Sequence, residues 1–175
     1  MSRILTFRGS VDIDDNARST NNKIFSYEAA DLSRAWKVKS FYFWPETYRA
    51  ATGTGDGQLL VAASLATDTI FPAGFDDTVT VNDNRQFGWM VKGYNLRDAA
   101  TDFITCPTGL NDNQAIVDPD HVVNRHLYIN AYITSDNTTS PTRRYNYLVV
   151  LEPIKITENQ AILQMVKGVA QDITN

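Results

Sequence analysis

Asp12 opens a run, DIDDNARSTNNK, in which carboxylate and amide oxygens recur at the close spacing a calcium loop would need. The run fails that test in two places. Ala17 stands at loop position 6, where the sharp turn requires glycine, and Lys23 stands at position 12, where a bidentate glutamate should close the shell. Looser carboxylate groupings remain, with Asp76, Asp77 and Asp83 in one stretch and Asp112, Asp118 and Asp120 in another. Asp and Asn also favour turns because their side chains bond the neighbouring backbone, and that is the simpler reading of both groups.

Phosphate binding is the next possibility. GTGDG, from Gly53 to Gly57, is rich in glycine, but no Lys-Ser or Lys-Thr follows it and it does not lead from a strand into a helix. Nucleophilic catalysis would have to use Cys106 with His121 or His126, the only histidines. Neither a nucleophile elbow nor a papain-like context surrounds them. The expectation is that the histidines flank the start of a strand and Cys106 sits in a turn. No pair among the 20 acidic residues is marked for glycoside hydrolysis. The residues predict no catalytic group, no metal site and no cofactor.

Aromatic side chains are the other functional candidates. Tyr128 and Tyr132 share one face of a strand, and Trp36, Trp44 and Trp89 add bulk elsewhere. Such groups can form core, stack on sugar rings, or anchor a subunit interface, where Tyr and Trp are enriched. Net charge is −4, and the densest basic pair is Arg143 with Arg144. Direct nucleic-acid binding, which needs clustered Lys and Arg, is not expected. A single cysteine allows no intrachain disulfide. With no long apolar run, the chain is expected to be soluble, without a signal peptide or a membrane span, and made in a cytoplasm.

Strands must position these residues, because period-2 patterns dominate. Candidates run over Arg3 to Ile13, Asn22 to Glu28, Ser33 to Pro45, Gln58 to Thr67, Asp77 to Asp83, Gln86 to Tyr94, Val122 to Thr134 and Arg143 to Ile156. Strict alternation would put Trp36, Val38, Ser40, Tyr42 and Trp44 on one face of the third strand. Ala35, Lys37, Lys39, Phe41 and Phe43 would take the other. DDNARSTNN, ATGTGDG, FPAGFDD and CPTGLNDNQ read as loops. A short helix could lie in Tyr94 to Phe103. The strand count predicts one all-β domain over residues 1–175, an antiparallel sandwich or barrel.

The tail predicts a C-terminal helix over about 157–172. Thr157 and Gln160 have capping-box spacing, and Ile162, Met165, Val166 and Val169 fall at i, i+3, i+4 and i+7. That stripe must dock on its own sandwich or on a neighbour. In the run LYINAYITSDNTTSPTRRYNYLVVLEPIKI, one face of the first strand, Leu127, Ile129, Ala131 and Ile133, suits a sandwich interior. The opposite face, with Tyr128, Tyr132 and Thr134, needs a second layer: the helix, a long loop or another copy.

A β-rich body, long polar loops and the close YNYLVVLEPIKITENQAILQMVKGVAQDI give the chain a texture that resembles the single jelly-roll structural proteins of viruses, especially capsid proteins of small tailless bacteriophages. The resemblance implies an eight-stranded double-sheet jelly roll. It also implies trimers or pentamers that build a larger assembly with other virion proteins, and no catalytic residues. Trp44, Tyr128 and Tyr132 would then be interface anchors. Unlike many such proteins, this chain offers only Arg3 and Arg8 before an acidic DIDD, so genome neutralisation is not expected of it. A lectin-like or adhesin module, using loop aromatics and perhaps calcium, is the alternative from a different class.

Overall fold

The computed structural model describes residues 4–27, 33–47, 58–70, 83–95, 114–136, 141–163 and 166. Among these residues eight strands follow one another as β1 (Leu5–Asp14), β2 (Arg18–Ser26), β3 (Arg34–Pro45), β4 (Gln58–Ala66), β5 (Gln86–Asn95), β6 (Ile116–Val117), β7 (His126–Ser135) and β8 (Thr142–Lys155). They form two antiparallel sheets, ordered β1-β8-β3 and β2-β7-β4-β5-β6. The pairs are nested: β1 with β8, β2 with β7, and β4 with β5. Gln114, just before β6, is bridged to Tyr42 of β3. Such nesting, an antiparallel ribbon wrapped so that its halves fall in two sheets, is the jelly roll. The protein is therefore an all-β sandwich of jelly-roll type with a short C-terminal helix, α1, helical over 158–163 and again at 166.

The core lies between the sheets and is built by alternation. Phe41, Phe43, Val149 and Leu151 of one sheet and Val61, Ala63, Leu65, Leu127, Ile129, Ala131 and Ile133 of the other are all fully buried. Each large aliphatic or aromatic group there contributes about 1.5–3 kcal/mol by leaving water. Tyr145 stacks on Phe43 with ring centroids 5.6 Å apart, and Phe7, Phe25, Tyr27 and Trp36 make a second aromatic group. The purely aliphatic face expected of Leu127 to Ile133 is the interior face.

Several expectations are corrected. The two faces of β3 do not alternate strictly. The register slips between Val38 and Ser40, so Val38 points into the core together with Phe41 and Phe43, and Lys39 is left exposed to pair with Glu152. Inserting one residue in this way moves every later side chain to the other face. β2 begins at Arg18, inside the run expected to be a loop. Its polar composition suits an edge strand, and it carries two register shifts with Asn21 at φ 59°. β6 was not anticipated, being only two residues long. The expected strand Asp77 to Asp83 and helix Tyr94 to Phe103 fall almost wholly outside the described residues, as do Cys106 and the glycine-rich loop.

Two devices tie the sheets together. At the β1–β2 corner, Asp15 and Arg143 form a buried ion pair, with Arg143 Nε donating to both carboxylate oxygens at 2.9 and 3.0 Å. On the far side, residues 114–123 run between β3 and β5. Ala115 N–H donates to Phe41 C=O, Asp118 N–H to Phe87 C=O, and Val123 and Trp36 exchange backbone bonds.

Candidate subunit-contact surfaces

The outward face of the five-stranded sheet carries an apolar row. In register, Ala62 stands beside Tyr132 and Val91, and Trp89 stands beside Ile116. Val91 is 59% exposed, Ile116 79% and Leu60 40%. Contiguous apolar area of this kind on a sheet face is a mark of an interaction surface.

Toward β2 the same face is covered by the chain itself. Tyr128 is buried against Ala66 and Ile70, with Tyr132 packed at the margin and half-exposed. Asn21 holds this cover down. Its side-chain amide donates to Ile70 C=O at 3.0 Å and its carbonyl accepts Ile70 N–H at 2.8 Å, in imitation of a strand partner. Asn130, fully buried on this face, accepts Asn21 N–H through its side-chain oxygen at 2.7 Å. The left-handed backbone at Asn21, tolerated by Asn, presents both groups at once. Sequence pattern marked Tyr128 and Tyr132 but not Asn21, whose role depends on a residue far along the chain.

The outward face of the three-stranded sheet is different. It holds a shallow cleft of about 510 Å³ lined by Arg8, Gly9, Ser10, Trp44, Asn146, Tyr147 and Leu148. Trp44 is half-buried there. Beside the cleft, Arg144 grips Asp12 through two bonds, at 2.8 and 3.2 Å, and this holds the Asp12 carboxyl below its ordinary range. Tyr147 points the other way and lies across Gly9, where an added Cβ would sit 2.5 Å from its hydroxyl and 2.7 Å from the ring.

The third surface is α1. The capping box forms as expected: Thr157 N–H donates to Gln160 Oε1 at 3.0 Å, and Gln160 N–H donates to Thr157 Oγ1 at 3.3 Å. Among its described residues, Ala161 is the one this helix buries. Ile162, Leu163 and Val166 are all more than half exposed, so Ile162 and Val166 are not docked on their own sandwich. Met165 and Val169 lie outside the described residues.

The histidines are apart. His126 begins β7 and meets Ser26 Oγ at 3.1 Å. His121 is buried and stacked on Phe87, with centroids 4.3 Å apart. Its Nε2 accepts Val38 N–H at 2.8 Å, at the bulge of β3, and its Nδ1–H donates to Asp118 C=O. Burial pushes its pKa below 6.5, with the Asp118 carbonyl and charge opposing and Lys37 adding to the drop. Asp83 is engaged by Arg85 in several bonds, and Asp118 bonds Asp120 N–H in a turn. Among the described residues no three His, Cys, Asp or Glu side chains gather as metal ligands. Among them also, no helix is long and apolar enough to cross a membrane.

No protein-family model matches the chain. No curated protein matches it. Among solved structures, it is similar to a chain in the structure of turnip yellow mosaic virus at 100 K, with 12% identity and a TM-score of 0.32, over 91% of this chain and 99% of that one.

Proposed function

We propose that this protein is a structural subunit of a virion, a jelly roll that assembles with copies of itself and performs no catalysis. The observation that carries this reading is the apolar row of Val91, Ile116 and Leu60 on the outside of a sheet whose inner face is already fully packed. A jelly roll gains nothing in its own core from those residues, whereas a neighbour would bury them. Trp44 and Tyr132 are the aromatic anchors of subunit contacts, with Tyr128 supporting Tyr132 from beneath. Ile162, Met165, Val166 and Val169 dock the terminal helix on a neighbouring subunit. The unit is a trimer or pentamer that builds a larger assembly with other virion proteins after synthesis in the host cytoplasm. The sequence texture supports small tailless bacteriophages as its source.

The test is imaging of the purified protein by negative stain, with Val91→Asp beside the natural chain. A buried unpaired carboxylate is costly, so the substitution is expected to abolish the assembled species while leaving the fold intact. Assemblies that survive both Val91→Asp and Ile116→Asp would remove the basis of the proposal.

The cleft at Trp44 favours a second reading, a glycan-binding module of the same fold. There an indole platform would stack on a sugar ring, with Arg8, Ser10 and Asn146 as polar partners. Glycan binding by the natural protein that Trp44→Ala abolishes would support it.

A further inference from the structure

Among the described strands the four sheet edges are not alike. β3 is bulged at Lys39 and bridged to Gln114 and Val123. β2 is shifted twice and kinked at Asn21. β6 has two residues. Each of these edges is blunted against pairing, as edges of stable sheets usually are. β1 alone among them is regular. It pairs with β8 through ten consecutive residues without a register shift, and Thr6, Arg8, Gly9, Ser10 and Asp12 are exposed. Its second side presents backbone N–H and C=O groups to which β8 has no access.

The strand is also complementary to itself. Two copies of β1 joined antiparallel form a continuous sheet only if outward residues meet outward ones, so paired positions must have the same parity. Of the two registers of greatest overlap, the one centred on Gly9 sets Arg8 against Ser10 and Thr6 against Asp12. The one centred on Ser10 sets Arg8 of each copy against Asp12 of the other, twice, and Phe7 against Ile13 on the inner face. Among the described residues Arg8 has no ion-pair partner in its own chain, and the Asp12 carboxylate has lone pairs left after binding Arg144. Cross-strand opposite charges favour this register, and like charges in the same positions would oppose it.

We propose that β1 is a self-pairing edge: two copies of this protein join antiparallel through β1 about a two-fold axis at Ser10, fusing their three-stranded sheets into one. The Trp44 clefts of the two copies then lie on the same face, either side of the axis. This deepens the assembly proposed above and rests on it.

The experiment uses the full chain with Cys106→Ser. Residues facing each other across an antiparallel pair have Cα atoms about 4.5–5.5 Å apart, within the range a disulfide spans. Ser10→Cys is expected to cross-link to dimers under mild oxidation roughly tenfold faster than Thr6→Cys, which the register sets against Asp14. In the uncross-linked protein, Arg8→Asp and Asp12→Arg are each expected to lose the β1 contact, and an equal mixture of the two to regain it as a heterodimer, since only the mixture matches charges at both pairs. Cross-linking at Ser10 no faster than at Thr6, with light scattering still reporting oligomers, would overturn the β1 contact and leave assembly through another surface. Monomers at every concentration would overturn both.

Discussion

The two sheets share one interior and differ on their outsides. The three-stranded sheet turns out charge and amide around a cleft that holds Trp44 and Leu148: the Arg144–Asp12 and Lys39–Glu152 pairs, Arg8, Ser10 and Asn146. The five-stranded sheet turns out Val91, Ile116 and Leu60, and covers Tyr128 with a segment of its own chain. The inner faces are dictated by the need to make a core, so they look alike. The outer faces are free of that demand and differ in what they expose, and the five-stranded sheet's is the one that the proposed assembly would bury.

The comparison depends first on the sheets being held together, and the largest effect is expected there. Asp15→Ala removes the buried carboxylate that Arg143 Nε binds and should cost about 3–5 kcal/mol, read from the denaturant midpoint. A loss under about 1 kcal/mol would mean the corner opens to water and does not fix the sheets. Gly9→Ala comes next. Its methyl group collides with the Tyr147 ring, and overpacking of this kind typically costs about 1–3 kcal/mol. Because Gly9 is on the edge strand, the same substitution should weaken β1 pairing more than it weakens contacts of the five-stranded sheet.

His121 closes the opposite side of the sandwich, and its effect depends on pH. Folding holds the imidazole neutral, with its pKa below 6.5. Below pH 6.5 the unfolded chain therefore binds the extra proton, and stability falls with pH. The contribution is fully present above 6.5 and is lost as pH drops through the lower value of the folded state. Denaturation curves of His121→Gln should show a shallower loss over that acid range than the natural protein, and equal slopes would show that the ring does not report on this clasp. The smallest effect should come from the charged outer face. Lys39→Ala is expected to change stability by less than about 0.5 kcal/mol and to leave assembly unaltered, since its partner Glu152 is solvated. A loss of assembly in that variant would erase the contrast between the two faces.

Most of the fold was legible because strand periodicity is a local signal. β1, β3, β4, β5, β7 and β8 all lie within a few residues of their expected positions, and so does the start of α1, marked by Thr157 and Gln160. What failed depends on distant partners. The slip at Lys39 is set by where β8 and His121 meet β3, which no window of β3 contains. The first part of β2, Arg18 to Asn21, hides in a polar run, where Asn21 bonds Ile70 and Asn130 across the fold. The face of Tyr128 and Tyr132 was expected to need a second layer, and only tertiary packing shows that Ile70 lies over Tyr128. The apolar row was invisible in sequence, since Val91, Ile116 and Leu60 come together only through the pairing of β4, β5 and β6.

The central claim is that the outer apolar surface is buried by other copies of this protein. The direct measurement is the mass of the purified protein by light scattering over a concentration series, with Val91→Asp as the companion sample. The account predicts trimers, pentamers or larger closed species that grow with concentration and are absent from the variant. A strict monomer at the highest concentration, identical to Val91→Asp, would contradict it.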